Sequence, residues 1–197
     1  CPPGRGLTKD GKEFVIARPQ LDRYVTDQVA APRIELLPQQ VDYATLAVTA
    51  ERPPRYVIGV SEEDLQPFAL DMGADPYLIL LGDTGCGKTS ALRTLCRAII
   101  GQTGPARAQL LIVDFRRSLL GVVEPPYLCG YAMSAVTTAA ELAAALTLLT
   151  ARLPGPGVTQ QQLRDRSWWS GPEIQVVVDD YDLVVGAAGN PLNPLLD

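Results

Sequence analysis

The sequence predicts an α/β fold: a parallel sheet with helices on its faces, built around a phosphate-binding loop and preceded by a short β-rich lead-in. Three observations predict it. A glycine-rich stretch in "LILLGDTGCGKTSALRTL" separates an apolar run from an amphipathic segment. Strand-like and helix-like segments alternate on both sides of it, which is the pattern of a parallel sheet covered by helices. A later apolar run, "IQVVVDDYD", ends in carboxylates about ninety residues further on.

The apolar run at 78–81 is short, lacks helical spacing and stops at Gly82, so it reads as a buried strand entering a turn. After Lys88 the period changes. Ala91, Leu92, Leu95, Cys96, Ile99 and Ile100 recur every three to four residues, which predicts a helix over 88–100 ending at Gly101. Between the two, Gly82, Gly87, Lys88 and Thr89 satisfy G-x-x-x-x-G-K-[ST] in full. Glycines permit positive φ and remove side chains, so successive N–H groups can converge on phosphate oxygens. The helix start adds its positive end. Lys88 can neutralise the outer phosphates, and the Thr89 hydroxyl is placed to ligate Mg²⁺. The loop is therefore expected to hold a nucleoside triphosphate.

The remaining elements follow in order. "GKEFVIARPQLD" and "PRIELLP" read as short strands of the lead-in, and the Pro53-Pro54 joint sets its boundary with the core near residue 53, giving 1–53 and 54–197. Strands are expected over 56–60, 68–72, 109–114 and 174–179, and a helix over 137–152.

A phosphate loop needs a carboxylate at the end of a neighbouring apolar strand to support the metal's water shell. Asp179 supplies it. Asp180 then stands where ATPases of the additional-strand type commonly carry Glu as the base that orients attacking water. It is one methylene shorter, which reduces its reach and favours slow turnover or nucleotide holding. Asp114 also ends an apolar strand but comes too soon after the loop, so it reads as structural, bonding Arg116 or Arg117. Asp182 reads as surface or a helix cap. Trp168-Trp169, just before the carboxylate strand, fit either edge packing or a partner surface.

Bulk properties exclude several classes. The four cysteines, Cys1, Cys86, Cys96 and Cys129, show no C-x-x-C pairing and there is no histidine, which excludes zinc and histidine-based catalysis. A cysteine inside the phosphate loop fits a reducing, cytosolic setting. No N-K-x-D motif reads guanine. Net charge is −5, residues 56–197 alone carry −6, and Arg116-Arg117 is the one basic pair there, so a grip on nucleic acid is not expected. The chain begins at Cys1 rather than Met, which reads as an excised part of a longer protein.

With the phosphate loop, "VDFRRSLLG", "SWWSGPEIQVVVDDYDLV" and "NPLNPL" together, the chain resembles the FtsK/SpoIIIE-type ATPase modules of EccC, the motor of type VII (ESX) secretion systems, and most of all the last of its tandem modules. The resemblance runs from about "IGVSEEDLQPFALDMG" to the end. It implies a RecA/FtsK-like fold of the additional-strand class. It also implies that Gly82, Asp83, Thr84, Gly85, Cys86, Gly87, Lys88, Thr89 and Ser90 bind ATP, that Thr89 and Asp179 support Mg²⁺, and that Asp180 takes the place of the catalytic acid beside Lys88. The implied setting is the cytoplasmic part of a membrane-anchored secretion complex. Its partners would be neighbouring ATPase modules of the same chain or subunit and small helical WXG-type substrates, recognised through a C-terminal signal. In this class a further strand inserts between the carboxylate strand and the loop strand. The sequence ends at Asp197 before any such strand, so the native protein is expected to continue.

Overall fold

Ala108–Val113, with the sequence AQLLIV, is apolar at five of its six positions and carries no polarity alternation, which suits a strand covered on both faces. It is the middle strand of a three-stranded sheet. The computed structural model describes residues 4–17, 36–46, 55–186 and 189–196. In chain order the elements are β1 (Arg5–Leu7), β2 (Glu13–Val15), a 3-10 turn at Tyr43–Thr45, β3 (Arg55–Val60) and β4 (Pro67–Asp71). They continue with α1 (Lys88–Gln102), β5 (Ala108–Val113), β6 (Leu128–Ala132), α2 (Ala135–Thr150), α3 (Gln160–Asp165), β7 (Glu173–Val178), α4 (Tyr181–Val184) and α5 (Asn193–Leu196).

A three-stranded parallel sheet of order β6-β5-β7 confirms the expected α/β architecture. Successive residues of β5 point to opposite faces. Leu110 and Ile112 enter a core with Leu95, Cys96, Ala98 and Ile99 of α1 and with Tyr56 of β3. Leu111 and Val113 enter a second core with Leu142 and Ala145 of α2, Val184 and Leu192. In register, Val113 stands opposite Val178 on one side and Ala132 on the other, so all three strands end at the same edge.

The chain forms two compact units, Cys1–Glu35 and Leu36–Asp197, and the boundary expected near residue 53 falls inside the second. In the first unit β1 and β2 form an antiparallel pair. Of "PRIELLP", residues 32–35 lie outside the described residues and 36–38 have no regular structure.

Several expectations are corrected. β3 and β4 do not join the parallel sheet; they pair with each other antiparallel, with a bulge between Val57 and Gly59. The run at 78–81 is not a strand. Ile79 and Leu81 are 79% and 89% exposed, and neither this run nor the edge of β7 away from β5 is paired in a sheet among the described residues. Apolar patterning marks a segment fit for a sheet, but ladder bonds require a partner. α1 runs through Gly101 to Gln102 because Thr103 closes it, its N–H and its hydroxyl both reaching the Ile99 carbonyl. α2 starts two residues earlier than expected, since Ser134 and Thr137 form a reciprocal cap. β1, β6 and α3 were not foreseen; β6 reads LCGYA, short and broken by glycine. No helix among the described residues is long and apolar enough to cross a membrane.

Candidate functional site

The carboxyl ends of parallel strands are where open α/β sheets place their ligands. Here that edge presents Asp114 after β5 and Asp179 after β7. The N–H of Asp179 donates to the Val113 carbonyl at 3.0 Å and that of Asp114 to the Ala132 carbonyl at 2.9 Å, so the ladder carries both aspartates into register.

The glycine loop meets this edge. Gly87 precedes α1 at φ +100°, a conformation side chains disfavour, and no side chain caps the helix there. A Cβ on Gly82 would lie 2.5 Å from the Cys86 sulfur, so a side chain there would displace the Cys86 thiol. The first N–H groups of a helix have no intrahelical acceptor, and the first turn of α1 holds no acidic residue to neutralise them. Asp83, Thr84, Gly85, Cys86 and Ser90 are exposed around the loop. Lys88 curls back over it, its Nζ donating to the carbonyls of Gly82 at 2.8 Å and Asp83 at 2.9 Å.

One contact joins the two halves across 90 residues: the Thr89 hydroxyl lies 3.0 Å from both Oδ1 and Oδ2 of Asp179. A hydroxyl and a carboxylate, both hard oxygen donors, suit Mg²⁺, which retains waters and takes further oxygens from phosphates. Among the described residues no cluster of three or more His, Cys, Asp or Glu could hold a metal alone, and a nucleotide-borne Mg²⁺ does not require one. Asp179 is 3% exposed. Burial raises its carboxyl pKa; the Thr89 hydrogen bond opposes this, and the nearby charges of Asp180 and Asp114 add to the rise.

Asp114, 1% exposed, is held differently. Its Oδ2 accepts from the Tyr131 hydroxyl at 2.6 Å and from the Leu119 N–H at 2.6 Å, while Oδ1 has no hydrogen-bond partner among the described residues. Burial alone would raise its pKa; the Tyr131 bond and the N–H groups of Leu119, Ser118 and Arg117 outweigh it and hold the carboxyl below the usual value. Asp114 is buried and hydrogen-bonded, but among the described residues its side-chain hydrogen bonds go to Tyr131 and the Leu119 N–H rather than to the side chain of Arg116 or Arg117. Sequence reasoning missed Tyr131, whose only signal was an aromatic within a short apolar run.

Asp180 follows on a left-handed backbone, φ 49° and ψ 61°, and does not cap α4 with its side chain. Its Oδ2 lies 3.0 Å from Arg116 Nε. Asp182 sits exposed in the first turn of α4 rather than at its cap. Trp168 and Trp169 are half-buried: Trp168 Nε1 donates to the Arg152 carbonyl at 2.7 Å, and the Arg152 guanidinium lies 4.7 Å from the centre of the Trp169 ring. Those contacts support the edge-packing account, tying the approach to β7 onto the end of α2.

Known proteins share this sequence pattern and fold. The model of the FtsK/SpoIIIE family matches residues 41–153. The ESX-4 secretion system protein EccC4 of Mycobacterium tuberculosis is 51% identical over 99% of the chain, which spans 16% of that relative's length. The solved cytoplasmic domain of the type VII secretion ATPase EccC of Thermomonospora curvata superposes with a TM-score of 0.77 at 38% identity, over 98% of this chain and 25% of that one. A structure of ATPases 2 and 3 of the same EccC, in complex with a signal sequence peptide, gives 0.77 at 37% identity over 98% of this chain and 38% of that one. The chain thus belongs to the FtsK/SpoIIIE family, and it is similar to an ESX-4 secretion system protein and to a type VII secretion ATPase.

Proposed function

We propose that this chain is an ATP-binding module of a type VII (ESX) protein-secretion motor, and that it helps power or gate substrate export. The observation that carries the reading is the Thr89–Asp179 contact, which brings the phosphate loop and the strand-end carboxylate to one point. In this reading the loop from Gly82 to Ser90 binds the triphosphate through its N–H groups. Lys88 leaves its carbonyl partners to pair with the outer phosphates. Thr89 and Asp179 hold Mg²⁺, which when bound neutralises developing phosphate charge. Asp180 orients the attacking water.

The signal sequence peptide bound to the Thermomonospora protein supports a partner of that kind here. Small helical WXG-type substrates, neighbouring ATPase modules and the membrane-embedded complex complete the proposed setting, on its cytoplasmic side. The acidic balance of residues 56–197 argues against a DNA translocase.

A second reading, in which bound nucleotide rigidifies a recognition module with little hydrolysis, is favoured by one observation: Asp180 is short and already engaged by Arg116. ATP binding and turnover measured side by side decide between them. The motor reading expects binding to be lost in Lys88→Ala, and turnover to rise with a secretion substrate and vanish in Asp180→Ala. Binding with near-zero turnover that is indifferent to Asp180→Ala selects the second.

A further inference from the structure

The Arg116–Asp180 contact has a geometry that the proposed roles leave unexplained. The two residues follow neighbouring parallel strands whose last residues, Val113 and Val178, are in register. Asp180 stands on a left-handed backbone without a capping bond, and among the described residues its one recorded side-chain partner is Arg116. A carboxylate one methylene from the backbone has few directions open to it, and here Arg116 selects among them.

Arg116 is itself delivered by a fixed turn. Asp114, buried beneath it, accepts from Tyr131 and from the Leu119 N–H; the Arg117 N–H reaches the Asp114 carbonyl at 3.4 Å; and Arg117 takes φ +62°. Arg93 of α1, the helix that begins with Lys88, donates to the Ser118 carbonyl of the same turn through Nε, at 3.2 Å, and through Nη2. The turn is therefore braced from β6, from within and from the helix of the phosphate loop. Non-glycine residues in left-handed backbone cluster where a fold over-determines a functional geometry; of the four among the described residues, Asp180 is a member of the ion pair and Arg117 adjoins it.

We propose that Arg116 is a positioning residue for Asp180: its guanidinium holds one carboxylate oxygen and thereby aims the other at the water that attacks the terminal phosphate. The inference rests on the reading of Asp180 as the water-orienting acid. It gives the Asp-Phe-Arg-Arg turn a purpose, since a buried aspartate anchors the turn and the exposed arginine aims the acid.

The test uses the full-length protein carrying Arg116→Ala, Arg116→Lys, Asp180→Asn and the Arg116→Ala/Asp180→Asn double change, with Lys88→Ala as the binding control. Steady-state ATP hydrolysis gives kcat and KM, and equilibrium titrations give affinity for ADP alone and for ADP with aluminium fluoride, a mimic of phosphoryl transfer. Arg116→Ala is expected to lower kcat about 10-fold and to weaken the mimic by a similar factor, with KM and ADP affinity nearly unchanged. Arg116→Lys recovers part of the loss, and the double variant is no slower than Asp180→Asn alone. The inference is overturned if Arg116→Ala leaves kcat and mimic affinity intact, raises turnover, or multiplies its loss with that of Asp180→Asn. If Asp180→Asn hydrolyses ATP normally while Lys88→Ala does not, the reading of Asp180 fails first and the role of Arg116 falls with it. If the unmodified protein does not turn over, the mimic titration alone decides.

Discussion

Asp114 and Asp179 are neighbours at the ends of paired strands, both almost wholly buried, and their carboxyls are shifted in opposite directions. The difference lies in how well each is served. Asp114 receives a phenol and backbone N–H groups, enough to outweigh burial. Asp179 receives the Thr89 hydroxyl and a backbone N–H contribution from Asp180, and burial wins. A carboxylate with ample donors stabilises the fold by being charged. One short of donors is costly to ionise and gains from a cation, so the contrast agrees with the proposal that Asp179 supports Mg²⁺ while Asp114 serves the fold.

The sharpest way to break this contrast is to remove the carboxylate proposed to support Mg²⁺. Asp179→Ala should weaken Mg²⁺-ATP by about 10- to 100-fold, as loss of a group that orders a metal's surroundings does. Titration with a fluorescent ATP analogue, with and without Mg²⁺, checks it, and an unchanged affinity would make Asp179 no more functional than Asp114. Next in size, Asp114→Asn should cost about 2 kcal/mol of stability at pH 7 in urea unfolding, the range for hydrogen bonds to a charged group. Tyr131→Phe removes one of those bonds and should cost about 1 kcal/mol.

The pH dependence sharpens the comparison further. Because the folded pKa of Asp114 is lowered, its contribution is complete above the ordinary value of 3.8 and is lost as pH falls through the folded pKa. The stability gap between the unmodified protein and Asp114→Asn should therefore close below pH 3.8. Asp179, with its pKa raised, runs the other way: ionisation opposes folding as pH rises from 3.8 through its folded pKa, and the cost persists above. Asp179→Asn keeps an oxygen for Thr89 and should, without nucleotide at pH 7, melt at the same temperature or slightly above.

How far these features were legible depends on how local they are. Gly82, Gly87, Lys88 and Thr89 form a contiguous pattern, and the structure places the glycine turn and the start of α1 where that pattern put them. β5 and β7 announced themselves by their apolar stretches LLIV and VVV, each ending in aspartate. Tyr131 as a partner of Asp114, and Arg116 as a partner of Asp180, depend on strand order and register, which no one-dimensional pattern encodes. The run at 78–81 shows the converse: its composition is that of a strand, but strandness also needs a neighbour.

The 90-residue span between Thr89 and Asp179 has a consequence for synthesis on the ribosome. At about 5–20 residues per second, the phosphate loop leaves the tunnel roughly 5 to 20 seconds before the carboxylate that bonds it. During that interval β5 and α1 can form while the edge awaiting β7 stays open. In the proposed reading, nucleotide would therefore meet the loop of a nascent chain before the Asp179 side of the site has been made.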